Sequence, residues 1–136
     1  MSIATTTSTR LEINSTDYSA WCKEASIDFG VAVLDKTNFA SAGWEEKLAG
    51  LKNGTLNVSL MDDFADNDVN EDLFGIFGTV VTFKLRFSSA AISATNPEYQ
   101  GSVLISSVTG ISATVGELPM QDHSWPTTAA VTRAVA

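Results

Sequence analysis

Strict alternation of apolar and polar side chains predicts two half-buried antiparallel strands. Between Thr79 and Phe87, apolar residues occupy every second position, a period that places them on one face of a strand. The segment Thr55–Met61 repeats this pattern. The residues predicted to face inward are Val81, Phe83, Leu85 and Phe87 in the first segment and Leu56, Val58 and Leu60 in the second. Both strands are expected to contribute to the core.

Further short strands are predicted by the same period or by a β-branched, apolar composition. Ile27, Phe29, Val31 and Val33 form another period-two set, and Gly30 within it indicates a bulge or a close approach of another backbone. The other predicted strands are Arg10–Asn14, Tyr18–Cys22, Ser102–Thr109, Ile111–Val115 and Ala129–Val135. Turn-forming residues stand between them at Asn14-Ser15, Asn53-Gly54, Asn96-Pro97 and Gly116.

One segment has a helical spacing instead. Trp44, Leu48 and Leu51 fall at i, i+4 and i+7, which places them on one face of a helix. We predict a short amphipathic helix over Ser41–Leu51 that packs on the sheet, so that Trp44→Ala would destabilise the fold by about 3–5 kcal/mol. The predicted class is mainly β: an antiparallel β-sandwich or barrel with one short flanking α-helix.

Two regions do not have the composition of a core. The small, polar start, Met1 to Thr9, is predicted to be a flexible arm. The stretch Met61–Asp72 is predicted to be a long solvated loop, because it is too rich in charge to be buried unpaired. It contains six of the sixteen acidic residues: Asp62, Asp63, Asp66, Asp68, Glu71 and Asp72. Loops of such length in a compact domain are usually functional or disordered.

Length and charge narrow the function classes. The 136 residues are predicted to form one domain over residues 1–136, since a single core is usual up to roughly 250 residues. A net charge of −8 argues against binding to nucleic acid or to anionic lipid, because both kinds of binding require clustered Lys and Arg. No apolar run approaches the roughly 20 residues of a membrane span. The N-terminal residues lack the basic and then apolar pattern of a signal peptide. We therefore expect a soluble protein in the cytosol where it is made.

Candidate catalytic and metal-binding residues are few. The chain has one histidine, His123, and one cysteine, Cys22, which together cannot supply a zinc site. A structural role is predicted for both. Asp66 and Asp68 match early ligand positions of an EF-hand, but Phe77 stands where its bidentate glutamate belongs. A different cation site in this loop stays open as the rarer alternative. We predict no enzyme activity, no catalytic residue, no cofactor and no metal.

The edges of the predicted strands raise the question of self-assembly. Exposed strand edges either need protection or are meant to pair with a neighbour, and this chain has few of the edge lysines that prevent such pairing. One hypothesis is therefore self-assembly through sheet edges, with the acidic loop and the N-terminal arm lying between subunits. A closed monomeric barrel is the alternative, and composition does not decide between them.

The order of segments resembles that of the tail tube (major tail) proteins of long, non-contractile-tailed bacteriophages. The resemblance runs from about Asp28 onwards and has no compact fingerprint motif. Its three stretches are Leu34–Phe39 with Trp44–Lys52; Asp72–Phe87 with Asn96–Gly101; and Val115–Glu117 with His123–Trp125 and Ala130–Arg133. The chain departs from the family in lacking a longer leader strand at its start and an added C-terminal domain.

The resemblance implies a structural virion protein, located in the tail and assembled in the host cytoplasm. Six copies would form a ring, and stacked rings would form a tube whose acidic lumen lets DNA pass during ejection without specific binding. Implied partners are the tail tip or initiator, tape-measure and terminator proteins, with no membrane. One alternative is a binding module, such as a capsid decoration or adhesin-like β-sandwich. It would need an exposed aromatic patch from Trp21, Trp44 or Trp125, although core positions are expected for all three. A metal-dependent enzyme is the weaker alternative.

Overall fold

Two antiparallel β-sheets and one α-helix make up the part of the chain that this computed structural model describes, residues 8–63 and 69–135. In chain order the elements are β1 (Arg10–Ile13), β2 (Thr16–Asp17), β3 (Cys22–Asp35), β4 (Lys47–Met61), α1 (Val69–Ile76), β5 (Val80–Arg86), β6 (Glu98–Leu104), β7 (Met120–Pro126) and β8 (Thr132–Ala134). A 3-10 turn at Phe39–Ser41 lies between β3 and β4. The predicted mainly-β class with one short α-helix is confirmed, although the helix is not where it was predicted.

The five-stranded sheet has the order β2-β1-β5-β6-β8, with β5 at its centre. Asn14 and Ser15 both have positive φ angles, 53° and 64°, as the two central residues of a type I′ hairpin turn require. The inward side chains of β5, Val81, Phe83 and Leu85, are buried as predicted, whereas Phe87 lies beyond the strand and is exposed.

The three-stranded sheet has the order β3-β4-β7 and covers the other side of the core. Its inward side chains are buried with those of the first sheet in one cluster, which also includes side chains from α1 and the turn after β2. The buried residues are Leu56, Val58, Leu60 and Trp125 from this sheet, Leu11, Ile13, Val81, Phe83, Leu85 and Val103 from the other, and Tyr18, Val69, Leu73 and Ile105.

Several predicted boundaries are wrong. Tyr18 begins a turn and β3 starts only at Cys22; residues 111–115 form no strand, and the strands predicted over 102–109 and 129–135 are shorter or shifted. Asn53-Gly54 lies inside β4 and is not a turn, because β3 pairs with it throughout. Gly54 lies at a close approach of neighbouring side chains: an added Cβ would lie 3.1 Å from Thr127 and 3.3 Å from Phe29, a tight contact that glycine avoids.

The predicted helix over Ser41–Leu51 is wrong. Residues from Lys47 onwards belong to β4, where Lys47 pairs with Asp35 and Leu48 with Leu34. Asn38 caps the 3-10 turn by accepting a hydrogen bond from the backbone of Ala40 at 2.9 Å. Pairing with a long neighbouring strand thus overrides a helical spacing that three apolar residues share by coincidence.

Both ends of the acidic segment 61–72 belong to regular elements and not to the predicted long loop. β4 continues to Met61 and α1 begins at Val69, so that only seven residues connect them. Val69 and Leu73 are fully buried on the inner face of α1. Residues 64–68, with the predicted sites Asp66 and Asp68, lie outside the described residues, as do residues 1–7 of the predicted arm. No helix in the described ranges is long and apolar enough to cross a membrane.

A matched pair of tryptophan substitutions tests this burial pattern. Trp125 is 0% exposed and Trp44 is 78% exposed. Trp125→Ala should lower the free energy of unfolding by about 3–5 kcal/mol, since it leaves a large cavity. Trp44→Ala should change it by less than about 0.5 kcal/mol, as is usual for surface positions. Urea unfolding at low protein concentration measures both, and comparable losses would contradict this assignment of the core.

Candidate assembly surfaces

The longest strands of the fold continue past the sheet that they build. β7 pairs with β4 only from Met61 back to Thr55, whose partner is Pro126. Beyond that point β3 and β4 form a two-stranded ribbon, which we call the hairpin arm (residues 29–54). A two-stranded ribbon is marginally stable in water unless another surface covers it. The arm is therefore the part of the structure that most requires a partner.

The arm is also rich in exposed apolar side chains. Of the sixteen large exposed hydrophobic residues in the described ranges, eight lie on the arm, so the exposure is concentrated and not scattered. These are Phe29, Val31, Val33, Leu34, Phe39, Trp44, Leu48 and Leu51. Exposed apolar patches of this kind mark interaction sites on soluble proteins. The period-two set from Ile27 to Val33 indicated a strand here, but not that its outer half leaves the core.

Hydrogen bonds give the tip of the arm a defined shape. The Ser41 hydroxyl donates to the Glu46 carboxylate at 3.0 Å, and the Thr37 backbone donates to the Asp35 carboxylate at 2.8 Å. Hydrogen bonds from Thr37 lower the pKa of Asp35, which also lies 3.7 Å from Lys47. A surface that is ordered before it binds loses less conformational entropy on binding.

The outer face of the three-stranded sheet is polar and acidic. Its outward positions are Glu24, Ser26 and Asp28 on β3, Thr55, Asn57 and Ser59 on β4, and Asp122 and Ser124 on β7. None of these positions carries Lys or Arg. The Asn57 amide donates to the Asp28 carboxylate at 2.7 Å, and Ser124 donates to Asn57 at 2.6 Å. Ser59 donates to Asp122. The face is therefore a cross-strand ladder of fixed side chains with a negative charge.

The same sheet has two open edges. β3 lies at one edge over fourteen residues and β7 at the other over seven, and neither has a second strand partner in the described part of the chain. The outer backbone groups of β3 are thus available for pairing. Open edges of this length are sites of strand addition by another chain.

A buried polar network connects the end of β4 to β7 and α1. The side-chain amide nitrogen of Gln121 donates to the Asp62 carboxylate at 2.8 Å. The side-chain oxygen of Gln121, Oε1, accepts a hydrogen bond from the Thr109 backbone N–H at 3.1 Å. Gln121 Oε1 also lies 2.9 Å from His123 Nε2. Because an amide oxygen can only accept a hydrogen bond, His123 Nε2 is the donor. Asn70 of α1 donates to the Gly110 carbonyl at 2.8 Å. Asp62 has a role in folding that its place in an acidic run did not reveal.

The single histidine and the single cysteine have structural surroundings. His123 is buried, stacks on Trp125 with ring centroids 5.4 Å apart, and lies 3.1 Å from the Ser107 hydroxyl. Burial lowers the pKa of His123 and raises that of the half-buried Cys22. No cluster of three or more potential metal-ligating side chains occurs among the described residues.

The predicted acidic site residues are separated by the structure. Asp62 is buried in the polar network, and Asp63 accepts a hydrogen bond from the Trp21 indole at 3.1 Å. Glu71 and Asp72 lie in the first turn of α1, where negative charge suits the helix dipole. Burial, together with the charge and a hydrogen bond of Asp72, raises the pKa of Tyr18 to about 12. Four of the six residues thus have positions fixed by the fold.

Comparison with known proteins identifies the fold. No family model matches the sequence, and no curated protein matches it. One similar solved structure is a chain in the virion of a native gene transfer agent particle, with a TM-score of 0.75, 17% identity, and coverage of 97% of this chain and 99% of that chain. Another is a chain in the tail of an empty gene transfer agent particle, from a helical refinement with C6 symmetry, with a TM-score of 0.69, 17% identity and 93% coverage of each chain. The predicted resemblance to tail proteins is confirmed at the level of the fold.

The buried histidine gives a pH prediction. A group whose pKa is lower in the folded state binds its proton more readily when unfolded, so stability falls as the pH decreases through 6.5, the ordinary histidine value. NMR titration of the single histidine should give a midpoint below 6.5 in the folded protein and near 6.5 in urea. Between pH 7 and pH 5.5, the free energy of unfolding should decrease less in the His123→Gln variant than in the wild-type protein. Equal midpoints in both states would contradict the buried position.

Proposed function

We propose that this chain is the structural subunit of a phage-like tail tube, in which copies close into rings and rings stack into a hollow tube. The observation that carries the proposal is the hairpin arm, a two-stranded ribbon that extends beyond the three-stranded sheet and has eight exposed apolar residues. The likeness to a chain from a C6-symmetric tail supports it. In this role the chain is a non-enzymatic virion component, located in the tail and assembled in the host cytoplasm.

Ring closure in this proposal uses the two open edges of the three-stranded sheet. The β3 edge of one copy pairs with the β7 edge of the next, which satisfies the outer backbone groups of both. A sheet that closes on itself has no edges left, so a ring also removes the aggregation hazard of a long free strand. Six copies per ring agree with the symmetry of the similar tail.

The outer face of the three-stranded sheet lines the lumen in this arrangement. Glu24, Asp28 and Asp122 then repeat around the channel, without Lys or Arg at the outward positions. Phosphate binding to proteins is driven by basic side chains that displace counterions, so an acidic wall lets DNA slide. Hydrogen bonds between neighbouring strands hold the side chains of this wall in place.

The remaining parts have roles at the ends and between subunits. In this proposal the acidic segment 61–72 is an assembly segment between copies, and its candidate contact residues are Asp62, Asp63, Asp66, Asp68, Glu71 and Asp72. Tail tip or initiator, tape-measure and terminator proteins are the proposed further partners, and the tube binds no membrane.

A binding module is the second candidate, and one observation favours it. Phe39 is fully exposed and Trp44 is 78% exposed at the tip of the arm, which supplies the aromatic patch that this alternative needs. Such a module, for example a capsid decoration protein, would stay monomeric and use the tip to bind another protein. The assembly state of the purified chain separates the two candidates.

Electron microscopy over a range of concentrations tests the tube, together with substitutions on the arm. Wild-type protein should form rings or hollow tubes of uniform width. Leu51→Asp and Val33→Asp should abolish them while leaving the thermal midpoint of the monomer nearly unchanged, since both residues are exposed. Ser89→Asp, which adds the same charge at an exposed position outside the arm, is the control and should assemble normally. A chain that stays monomeric, even with its initiator, would support the binding module instead.

A charge reversal on the sheet tests the lumen. Glu24→Lys should give tubes that retain short duplex DNA at low salt and release it as salt increases, the signature of phosphate contacts. Wild-type tubes and Ser89→Lys tubes, which carry the new lysine outside this face, should retain little DNA. Co-sedimentation at several NaCl concentrations measures this. Equal retention by both lysine variants would mean that Glu24 does not face the channel.

A further inference from the structure

An Asn-Gly pair lies at the base of the hairpin arm. The sequence predicted a turn at Asn53-Gly54, but the structure places both residues inside β4, where Asn53 pairs with Gly30 and Gly54 pairs with Phe29. Asn53 is exposed and Gly54 is buried. An asparagine followed by glycine is prone to spontaneous deamidation, because glycine has no side chain to hinder attack on the asparagine amide. The pair is thus a candidate site of covalent modification, and the fold decides whether it reacts.

The nitrogen that would react lies outside the ladder between β3 and β4. The Gly54 carbonyl accepts a hydrogen bond from the Thr127 backbone N–H at 3.0 Å. The N–H and the C=O of one strand residue point to the same side, so the Gly54 N–H also points away from β3. A groove of about 810 Å³ lies between the base of the arm and residues 127–131, and Asn53 and Gly54 line it. Solvent therefore reaches the Asn53 side chain.

Strand pairing prevents the reaction while it lasts. Deamidation requires a five-membered ring between the Gly54 nitrogen and Asn53 Cγ, which forms only after rotation about the Cα–C bond of Asn53. β4 holds this bond in the extended conformation of a strand. The Asn53 side chain also lies across the ladder, since a Cβ added to Gly30 would be 3.0 Å from Asn53 Oδ1. The ring can close only when the pairing of Asn53 with Gly30 opens.

The ladder is weak at this point. Gly30 and Gly54 lie on neighbouring strands one register position apart, and glycine inside a strand weakens it. The third strand, β7, ends where Pro126 pairs with Thr55, so the ribbon beyond Gly54 has two strands. Such a ribbon is marginally stable, and local openings occur far more often than global unfolding. The arm can therefore open at Asn53 while the core stays folded.

We infer that Asn53-Gly54 is a deamidation site that reacts when the hairpin arm opens. The Gly54 nitrogen loses its proton to solvent and forms a bond to Asn53 Cγ. The bond between Cγ and the side-chain nitrogen breaks, and ammonia leaves with a proton from solvent. Water then opens the resulting succinimide at either of its two carbonyls, which gives aspartate or isoaspartate at position 53. Water is the only reactant consumed and ammonia the only product released.

Either product changes the arm. Aspartate adds a negative charge at its base. Isoaspartate lengthens the main chain of β4 by one carbon, so that its hydrogen bonds with β3 no longer match. The eight exposed apolar residues of the arm then lose the arrangement that the proposed assembly uses. This consequence rests on the proposed function, whereas the covalent step does not.

Peptide mapping by mass spectrometry tests the site. The wild-type monomer, held at mildly alkaline pH, should slowly accumulate aspartate and isoaspartate at position 53. The unfolded chain in urea should react at least about tenfold faster, since pairing no longer protects it. Asn57 of the same strand is followed by the β-branched Val58, which hinders ring closure, and should stay intact in the folded protein. Asn53→Gln should give no product at position 53, because glutamine would need a less favourable six-membered ring.

A glycine double variant tests whether opening of the arm controls the rate. Val31→Gly with Val33→Gly weakens β3 at two exposed positions and leaves the sequence neighbours of Asn53 unchanged. This variant should deamidate several-fold faster than wild type, with a nearly unchanged thermal midpoint of the core. Val80→Gly, at an exposed valine outside the arm, is the control and should react at the wild-type rate.

The possible results are distinct. Equal rates in buffer and in urea would mean that pairing does not protect the site. An intact Asn53 in both the folded wild type and the glycine double variant would mean that the arm does not open there. Either result overturns the inference, as does an Asn53 that stays intact even in urea.

An assembly assay separates this inference from the proposed function. Wild-type protein that is aged as a monomer should form fewer tubes than fresh protein, whereas aged Asn53→Gln should assemble like its fresh counterpart. Equal losses in both would mean that deamidation at position 53 does not affect assembly. If fresh protein with initiator forms neither rings nor tubes, the proposed function fails, and the mass measurement still decides whether Asn53-Gly54 is a deamidation site.

Discussion

The antiparallel pairing of β3 with β4 is the interaction on which the rest of the structure depends. It joins fourteen residues to fifteen, places Leu56, Val58 and Leu60 in the core, and leaves β3 as an open edge. Its outer half then continues beyond the point where β7 stops, so that among the described residues no third strand flanks it. The hairpin arm, the open edge and the acidic outer face are all products of this one long ladder.

The parts of the fold that depend on short-range pattern were predictable from sequence. Val81, Phe83 and Leu85 alternate with polar residues and are buried as that period requires. The helix over Ser41–Leu51 was not, because three apolar residues matched a helical spacing while β3 supplied a strand partner that no local window contains. The true helix had a signal, since Val69, Leu73 and Ile76 share the same spacing, but the acidic residues between them favoured a loop.

The candidate surfaces were harder to predict, for a physical reason. Alternation shows which residues share a face of a strand, but it does not show whether another layer covers that face. Phe29 and Ile27 belong to one period-two set, yet Ile27 packs against the core and Phe29 lies on the arm. Likewise Asp62 and Asp63 look like surface charges in sequence, whereas the fold gives them Gln121 and Trp21 as hydrogen-bond partners.

The bulge in the hairpin arm constrains how its length can change during evolution. Between Val31 and Val33 the register shifts, because Gly50 and Leu51 on β4 together oppose Ala32 on β3. Side chains alternate between faces, so an insertion of one residue in either strand would turn every residue beyond it to the opposite face. An insertion of two residues in each strand would lengthen the arm and keep its faces. Related chains should therefore differ in arm length by even steps, with the bulge kept at one distance from the core.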